Sequence, residues 1–205
     1  GKLGDTELLE QTYNQMENDN IITPFISLIY KNKVEDNLLK KTFLNILNDQ
    51  KKNKSNQVSN VGGFQTFPLT KELNLLADIF NFHFSEFSRF LKPKKKITCK
   101  IENYWINENK NNDFNKFHHH LPGPNFSLVW YLESTGEGPL NFFNNDLTCS
   151  MTGNNDFFEQ GFNYEYIIYP KTDDILIFPS NMLHCVYPNH TQNRRVSLAA
   201  NIFIV

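Results

Sequence analysis

Apolar residues recur at helical spacing up to about residue 91 and at strand spacing from there to the end of the chain. Residues 5–17 (DTELLEQTYNQME) open on acidic side chains and place apolar ones on one helical face, predicting a helix, and ITPFISLIY at 22–30 predicts a strand. A second helix is predicted within VEDNLLKKTFLNILND (34–49), where Val34, Leu38, Leu39, Phe43, Leu44 and Leu47 form a stripe suited to packing on a sheet. The next stretch, KKNKSNQVSNVGGFQT (51–66), is polar and irregular, and its Gly62-Gly63 pair marks a tight turn or a close backbone approach. A third helix, over about 70–91, turns Leu73, Leu76, Phe80, Phe84 and Phe87 inward and stops before Pro93. His83 lies beside that stripe and reads as a packing or surface histidine.

Strands are predicted at about 96–107, 125–133, 139–144, 163–169, 174–178, 182–188 and 194–205, with turn chemistry at Gly136-Glu137-Gly138 and Pro170-Lys171. Seven or eight short strands preceded by helices imply a mainly β fold with N-terminal α structure: a double-stranded β-helix (jelly roll, cupin-like) with the helices packed on one sheet. The expected organisation is one domain over 1–205, with 1–95 as helical support and 96–205 as the jelly-roll core. The connection NNDLTCSMTGNNDFFEQGFN (144–163) is long for its place and is expected to act as a lid.

Composition narrows the partners. At 205 residues the chain can bury a core without disulfides or zinc, and a formal net charge of -2 gives no positive field for nucleic acid. The basic run Lys92-Pro93-Lys94-Lys95-Lys96 reads as a solvated turn before a strand. Cys99, Cys149 and Cys185 have no CxxC spacing, which suits a reducing compartment and leads to an expected cytoplasmic location. No apolar stretch approaches the roughly 18 residues of a membrane span, and the acidic start is not a signal peptide.

Three consecutive histidines, 118 to 120, stand before the strand-like FSLVWYL. In an extended segment His118 and His120 point to one side and His119 to the other, so the outer two can reach one metal while His119 faces solvent or a loop. A metal needs a third ligand, and His184 in ILIFPSNMLHCVYPN is the best distant candidate; by itself it would read as a satisfied core histidine. Period-2 alternation in ITCKIENYWINEN puts Ile97, Cys99, Ile101, Asn103, Trp105 and Asn107 on one face, with Trp105 and Asn107 toward the sandwich interior. A buried Asn107 needs backbone or ligand partners, and an inward Tyr131 needs one for its phenol. In the last strand Arg195, Ser197, Ala199 and Asn201 share a face. If that face is inward, the guanidinium requires a protein carboxylate or a bound anion; if the strand is an edge, Arg194 and Arg195 are both surface charges.

The ordered set SNVGGFQT (59–66), Trp105-Ile106-Asn107, His118-His119-His120, FSLVWYL (126–132), GPLNFF (138–143), FPSNMLH (178–184) and RVSLAAN (195–201) resembles the iron(II)- and 2-oxoglutarate-dependent oxygenases. Within them it is similar to a group common in marine bacteria and phages, which shows SNxGGWQS, W-x-N, HxH, G-L-x-F, FPSxxxH and RxSxxxN motifs. The resemblance runs over most of the chain after about residue 30. It implies Fe(II) on His118, His120 and His184, with 2-oxoglutarate bound distally by Arg195 and Ser197 and aided by Asn107 and Tyr131. Trp105, Asn201 and Phe64 are then expected at the substrate pocket. The implied activity is hydroxylation of a small-molecule or peptide substrate, with 2-oxoglutarate decarboxylated to succinate.

This sequence departs from the wider superfamily at the metal. Most members use His-x-Asp/Glu with a distant His, and here His120 holds the carboxylate position, removing a negative charge. That leaves open a three-His site, a halide or water as a further ligand, or an acid from elsewhere such as Asp113. Phe64 and Thr66 replace the group's Trp and Ser, both conservative in shape. Two other readings stand beside the oxygenase: a cupin-like three-His iron dioxygenase that uses no 2-oxoglutarate, and a non-enzymatic jelly-roll binding module.

Overall fold

The computed structural model describes residues 27–144 and 165–205. In chain order these form β1 (Tyr30–Lys33), α1 (Asn37–Gln50), β2 (Asn60–Val61), β3 (Phe64–Gln65), α2 (Leu73–Leu91), β4 (Cys99–Asn109), β5 (Phe114–His118), β6 (Phe126–Glu133), β7 (Leu140–Phe143), β8 (Glu165–Ile168), β9 (Asp174–Pro179), β10 (His184–Val186) and β11 (Arg195–Ile204). The expected helix at 5–17 lies outside the described residues, as does the expected lid at 144–163 apart from Asn144.

Two antiparallel sheets face each other. The larger runs β1-β9-β6-β11-β4-β3 and the smaller β2-β5-β10-β7-β8, the two-sheet jelly-roll architecture that the strand spacing predicted. Both helices lie on the outer face of the larger sheet. Asp36 caps α1 by accepting from the Leu39 amide at 2.8 Å, and the helix buries Leu39, Phe43, Ile46 and Leu47. Leu38, placed in that stripe by spacing, is solvent-facing, and Ile46 takes the inner position, because the stripe follows the period from Leu39 rather than from Leu38. From α2, Leu76, Phe80, His83, Phe84 and Phe87 are buried. His83 is a packing residue, its Nδ1 2.9 Å from the Tyr30 hydroxyl. The helix ends at Lys92, which adopts φ 43°, just ahead of Pro93.

The helix-side core also takes Tyr104, Ile106, Leu128, Trp130, Ile177, Val196, Leu198 and Ile202, and a second cluster between the sheets holds Tyr131, Leu140, Phe142, Leu176, Phe178 and Val186. Phe43 stands edge-on to Tyr104 at 5.3 Å and to Trp130 at 6.2 Å, joining α1 to the sheet. Phe43→Ala is expected to cost about 3–5 kcal/mol of unfolding free energy, read from urea denaturation. A cost under about 1 kcal/mol would mean that α1 does not anchor on this sheet.

Three strand expectations are corrected. Residues 22–26 of the strand expected at 22–30 lie outside the described residues, 27–29 are not strand, and β1 starts at Tyr30 as an edge strand whose Lys31, Asn32 and Lys33 are exposed and so carry no alternation to read. β5 had no strand signal of its own and exists through pairing with β2 and β10. In β4, Tyr104 pairs with Ala200 but Ile101 pairs with Ile202, so residues 102 and 103 stand against 201 alone. That bulge inverts the alternation. Cys99 and Ile101 therefore pack with the helix-side core alongside Tyr104 and Ile106, and do not share the face of Trp105 and Asn107. Gly62 and Gly63 serve a close approach: a Cβ on Gly62 would collide with the Asp113 carboxylate, and one on Gly63 with the Glu108 carbonyl. No described helix is long and apolar enough to cross a membrane.

Candidate active site

His118 ends β5 and His184 begins β10, and the two are direct cross-strand partners. His120 follows two residues later, its amide donating to the Ser180 carbonyl at 2.9 Å. One ring nitrogen from each of the three lies within 4.8 Å of the others. His119 stays outside this group, its Nδ1 accepting from the Leu121 amide at 3.2 Å. Among the described residues the group contains no carboxylate. Asp113, considered above as a possible acid, instead accepts from the Lys110 amide at 2.7 Å in the β4–β5 turn.

The tautomers follow from the neighbours. His118 Nδ1 is 2.7 Å from the Lys116 carbonyl and His184 Nδ1 is 2.8 Å from the Met182 carbonyl. A carbonyl only accepts, so both Nδ1 atoms carry the proton and both Nε2 atoms keep a free lone pair. His120 Nδ1 lies 2.8 Å from Asn201 Oδ1 and 2.8 Å from Ser127 Oγ. Such outer partners fix ring orientation at metal centres.

Burial lowers the pKa of all three. For His118 the Lys116 carbonyl partly offsets the fall; His120 drops to about 4 and His184 to about 3, the latter pushed further by the neighbouring imidazoles. The rings are thus neutral near pH 7, as metal ligands must be. In the metal-free protein the unfolded histidines, near pH 6.5, bind protons before the folded ones do. Stability should therefore be highest above about pH 6.5 and fall as the pH drops toward the folded values of about 4 and 3. Burial lowers His83 as well and adds to the trend. The check is the urea midpoint of metal-free protein at pH 7.5 and 5.0, a window above most carboxylate titration. An unchanged midpoint would contradict the burial of uncharged imidazoles.

The inner face of the larger sheet is ordered in ranks about 7 Å apart, twice the rise per residue. Asn201 and Ser127 form the rank beside His120. The next is apolar: Trp105, Ala199, Val129 and Leu176. Then come Gln65, Asn107, Ser197 and Tyr131, directly paired across four strands. Asn109 and Arg195 make the last. Polarity thus runs from imidazoles, across an apolar strip, to amides, hydroxyls and a guanidinium.

Arg195 is 3% exposed and lies on β11, a central strand, which removes the edge-strand alternative. Its Nη1 donates to Asn109 Oδ1 at 3.2 Å and Ser197 Oγ at 3.4 Å, and its Nη2 to the Tyr131 hydroxyl at 3.4 Å. No described carboxylate forms an ion pair with it, and its Nε is buried without a hydrogen bond. The same holds for Asn107 Oδ1 and Gln65 Oε1. Burial pushes the Tyr131 phenol up, against the lowering by Arg195, which keeps it a neutral hydroxyl. Arg194 points the other way, to Glu133 at 2.6 and 2.8 Å and to Glu108 at 3.1 Å.

Of the sequence-predicted residues, His118, His120 and His184 come together, as do Arg195, Ser197, Asn107 and Tyr131. Trp105 lies beside His120, ring centroids 5.8 Å apart. Asn201, expected at the substrate pocket, bonds the ring of His120. Phe64 is half-buried and packs toward the helix-side core, opposite in parity to Gln65, which takes the inner face. Gln65 and Asn109 escaped the sequence reading, although extending the alternation from Asn107 by one step reaches Asn109. Gly138, read in sequence as a turn residue, also makes room for the arginine: at φ 65°, a Cβ there would stand 3.3 Å from Arg195 Cδ.

Residues 103–201 match the family model described as "Putative 2OG-Fe(II) oxygenase". No curated protein is significantly similar to the chain. Solved structures share the fold. An oxidoreductase of the 2OG-Fe(II) oxygenase family from Burkholderia pseudomallei superposes with a TM-score of 0.59 at 14% identity, covering 86% of this chain and 84% of that one. A prolyl hydroxylase from Trichoplax adhaerens, in complex with a hypoxia inducible factor peptide fragment, gives 0.59 at 16%, covering 98% and 92%. The viral collagen prolyl hydroxylase of Paramecium Bursaria Chlorella virus-1, a 2OG complex, gives 0.54 at 15%, covering 85% and 94%.

Proposed function

We propose that this chain, an oxidoreductase of the 2OG-Fe(II) oxygenase type, hydroxylates a small-molecule or peptide substrate using iron on His118, His120 and His184. In the same reading 2-oxoglutarate lies along the inner face of the larger sheet with its distal carboxylate at Arg195 and Ser197, and the chain falls in the marine bacterial and phage group. The observation that carries this is a buried guanidinium without a carboxylate partner among the described residues, two ranks beyond an apolar strip from three neutral imidazoles. A dicarboxylate with a short methylene spacer matches that order of polarity. A three-His dioxygenase without the cosubstrate would leave Arg195 buried and unneutralised, a costly arrangement.

Iron and 2-oxoglutarate together supply the oxidising chemistry, with the cosubstrate decarboxylated to succinate. The chain's residues bind and orient. His118, His120 and His184 would hold the ion through their ring nitrogens as neutral donors. Arg195 presents unused N–H capacity to a carboxylate, Ser197 and Tyr131 add hydroxyls, and Asn107 and Gln65 bring side-chain amides whose oxygens are buried without a partner among the described residues. Ala199 and Val129 keep the strip between the two ends free of competing polar groups. Trp105, half-buried against His120, is the residue best placed to meet the substrate.

The test is anaerobic calorimetric titration of 2-oxoglutarate into Fe(II)- or Mn(II)-loaded protein, followed by succinate measurement after oxygen is admitted. Saturable binding and succinate release are expected. Metal uptake with no binding of 2-oxoglutarate would overturn the cosubstrate and favour the three-His dioxygenase.

A further inference from the structure

We propose that Asn201 is a positioning residue that selects the tautomer of His120, and so decides whether this ring can take a metal. The inference rests on the assignment of His120 as a ligand. At His118 and His184 the backbone makes the choice, because each Nδ1 faces a carbonyl. His120 lies past the end of β5, and side chains alone hold its Nδ1: Asn201 Oδ1 and Ser127 Oγ, each at 2.8 Å.

A hydroxyl can donate or accept. With Ser127 as sole partner, its O–H could donate to Nδ1, which would place the ring proton on Nε2 and close that atom to a metal. The Asn201 amide oxygen only accepts, so it holds the proton on Nδ1 and leaves Nε2 free. Ser127 then accepts a second branch of the same N–H and can donate its own proton to Ser180 Oγ, 3.0 Å away. Ser127 and Ser180 are fully buried, so water does not substitute readily in this chain. The β4 bulge falls opposite Asn201, where the regular ladder is interrupted beside His120. Metal binding at a position with no carboxylate would thus depend on one amide oxygen.

The experiment uses full-length, metal-free protein and Co(II) alone, titrated anaerobically into wild type, Asn201→Leu and Asn201→Asp, with Asn201→Ala as a further variant in case leucine prevents folding. Long-range 15N–1H correlation spectra of the metal-free proteins read the tautomer, the His120 signals being identified by their loss in His120→Gln. Asn201→Leu should bind Co(II) roughly 10- to 100-fold more weakly and shift His120 toward the Nε2–H form. Asn201→Asp keeps an acceptor, and should bind at least as tightly as wild type with Nδ1–H retained. A purely structural Asn201 would give the opposite for aspartate, because a newly buried carboxylate would weaken binding along with leucine. Parallel losses in both variants, or a leucine or alanine variant within about twofold of wild type that keeps Nδ1–H, overturn the proposal. Wild type that takes up no Co(II) would overturn the metal assignment, and the spectra, which need no metal, would still decide the part played by Asn201.

Discussion

The His118→Ala and His184→Ala proteins are expected to lose stoichiometric iron, and His119→Ala to keep it. Each of the first two removes one of three converging donors from a group in which no described carboxylate can compensate. The loss should exceed the roughly 10- to 100-fold in affinity that removal of an outer partner causes. His119 supplies nothing to the cluster, since its ring nitrogen accepts from Leu121. Elemental analysis of protein reconstituted anaerobically with Fe(II) is the measurement, with thermal unfolding run alongside to show that the variants are folded. Folding itself should tolerate the changes, because each deletes a neutral ring that makes only local hydrogen bonds. Equal iron in all three variants would refute the assignment.

Arg195→Ala is expected to weaken 2-oxoglutarate binding at least about a hundredfold. Charge-assisted hydrogen bonds to a carboxylate contribute about 1.5–3 kcal/mol each, and every 1.4 kcal/mol is tenfold. Arg195→Lys should fall between, because an ammonium keeps the charge but loses the planar fork. Arg194→Ala should leave affinity near wild type while lowering stability, since it unpairs Glu133 and leaves Glu108 with only Lys51. The readout is anaerobic titration into Mn(II)-loaded protein. Undiminished affinity in Arg195→Ala would remove the guanidinium from cosubstrate binding. A loss of the same size in Arg194→Ala would point to a general defect of the sheet.

The two arginines show what sequence alone can carry. Alternation along RRVSLAAN separates them, because a strand turns successive side chains to opposite faces whatever its neighbours are. It put Arg195, Ser197 and Asn201 on one face and Val196 and Leu198 on the other, and the central place of β11 in the sheet turns the first set inward. The same local rule separated His119 from His118 and His120. Helical periodicity likewise marked Phe43, Phe80, Phe84 and Phe87 as core positions, since an amphipathic stripe is written in spacing.

Only the tertiary structure decided the rest. The inversion of β4 comes from a bulge against β11, and no residue within CKIENYWINEN announces it. β5 is a strand because β2 and β10 lie beside it. Gln65 belongs to the polar rank because Gly63 lets β3 close onto β4, some forty residues along the chain. Asp113 was a chemically reasonable metal acid until the turn claimed its carboxylate. Asn201 reads as a pocket amide in sequence and turns out to hold the ring of His120, 81 residues before it. Residue type and alternation are local properties and survive in a string of letters. Which lone pair meets which ring nitrogen depends on register and close approach between distant strands, and those are set only when the sheets assemble.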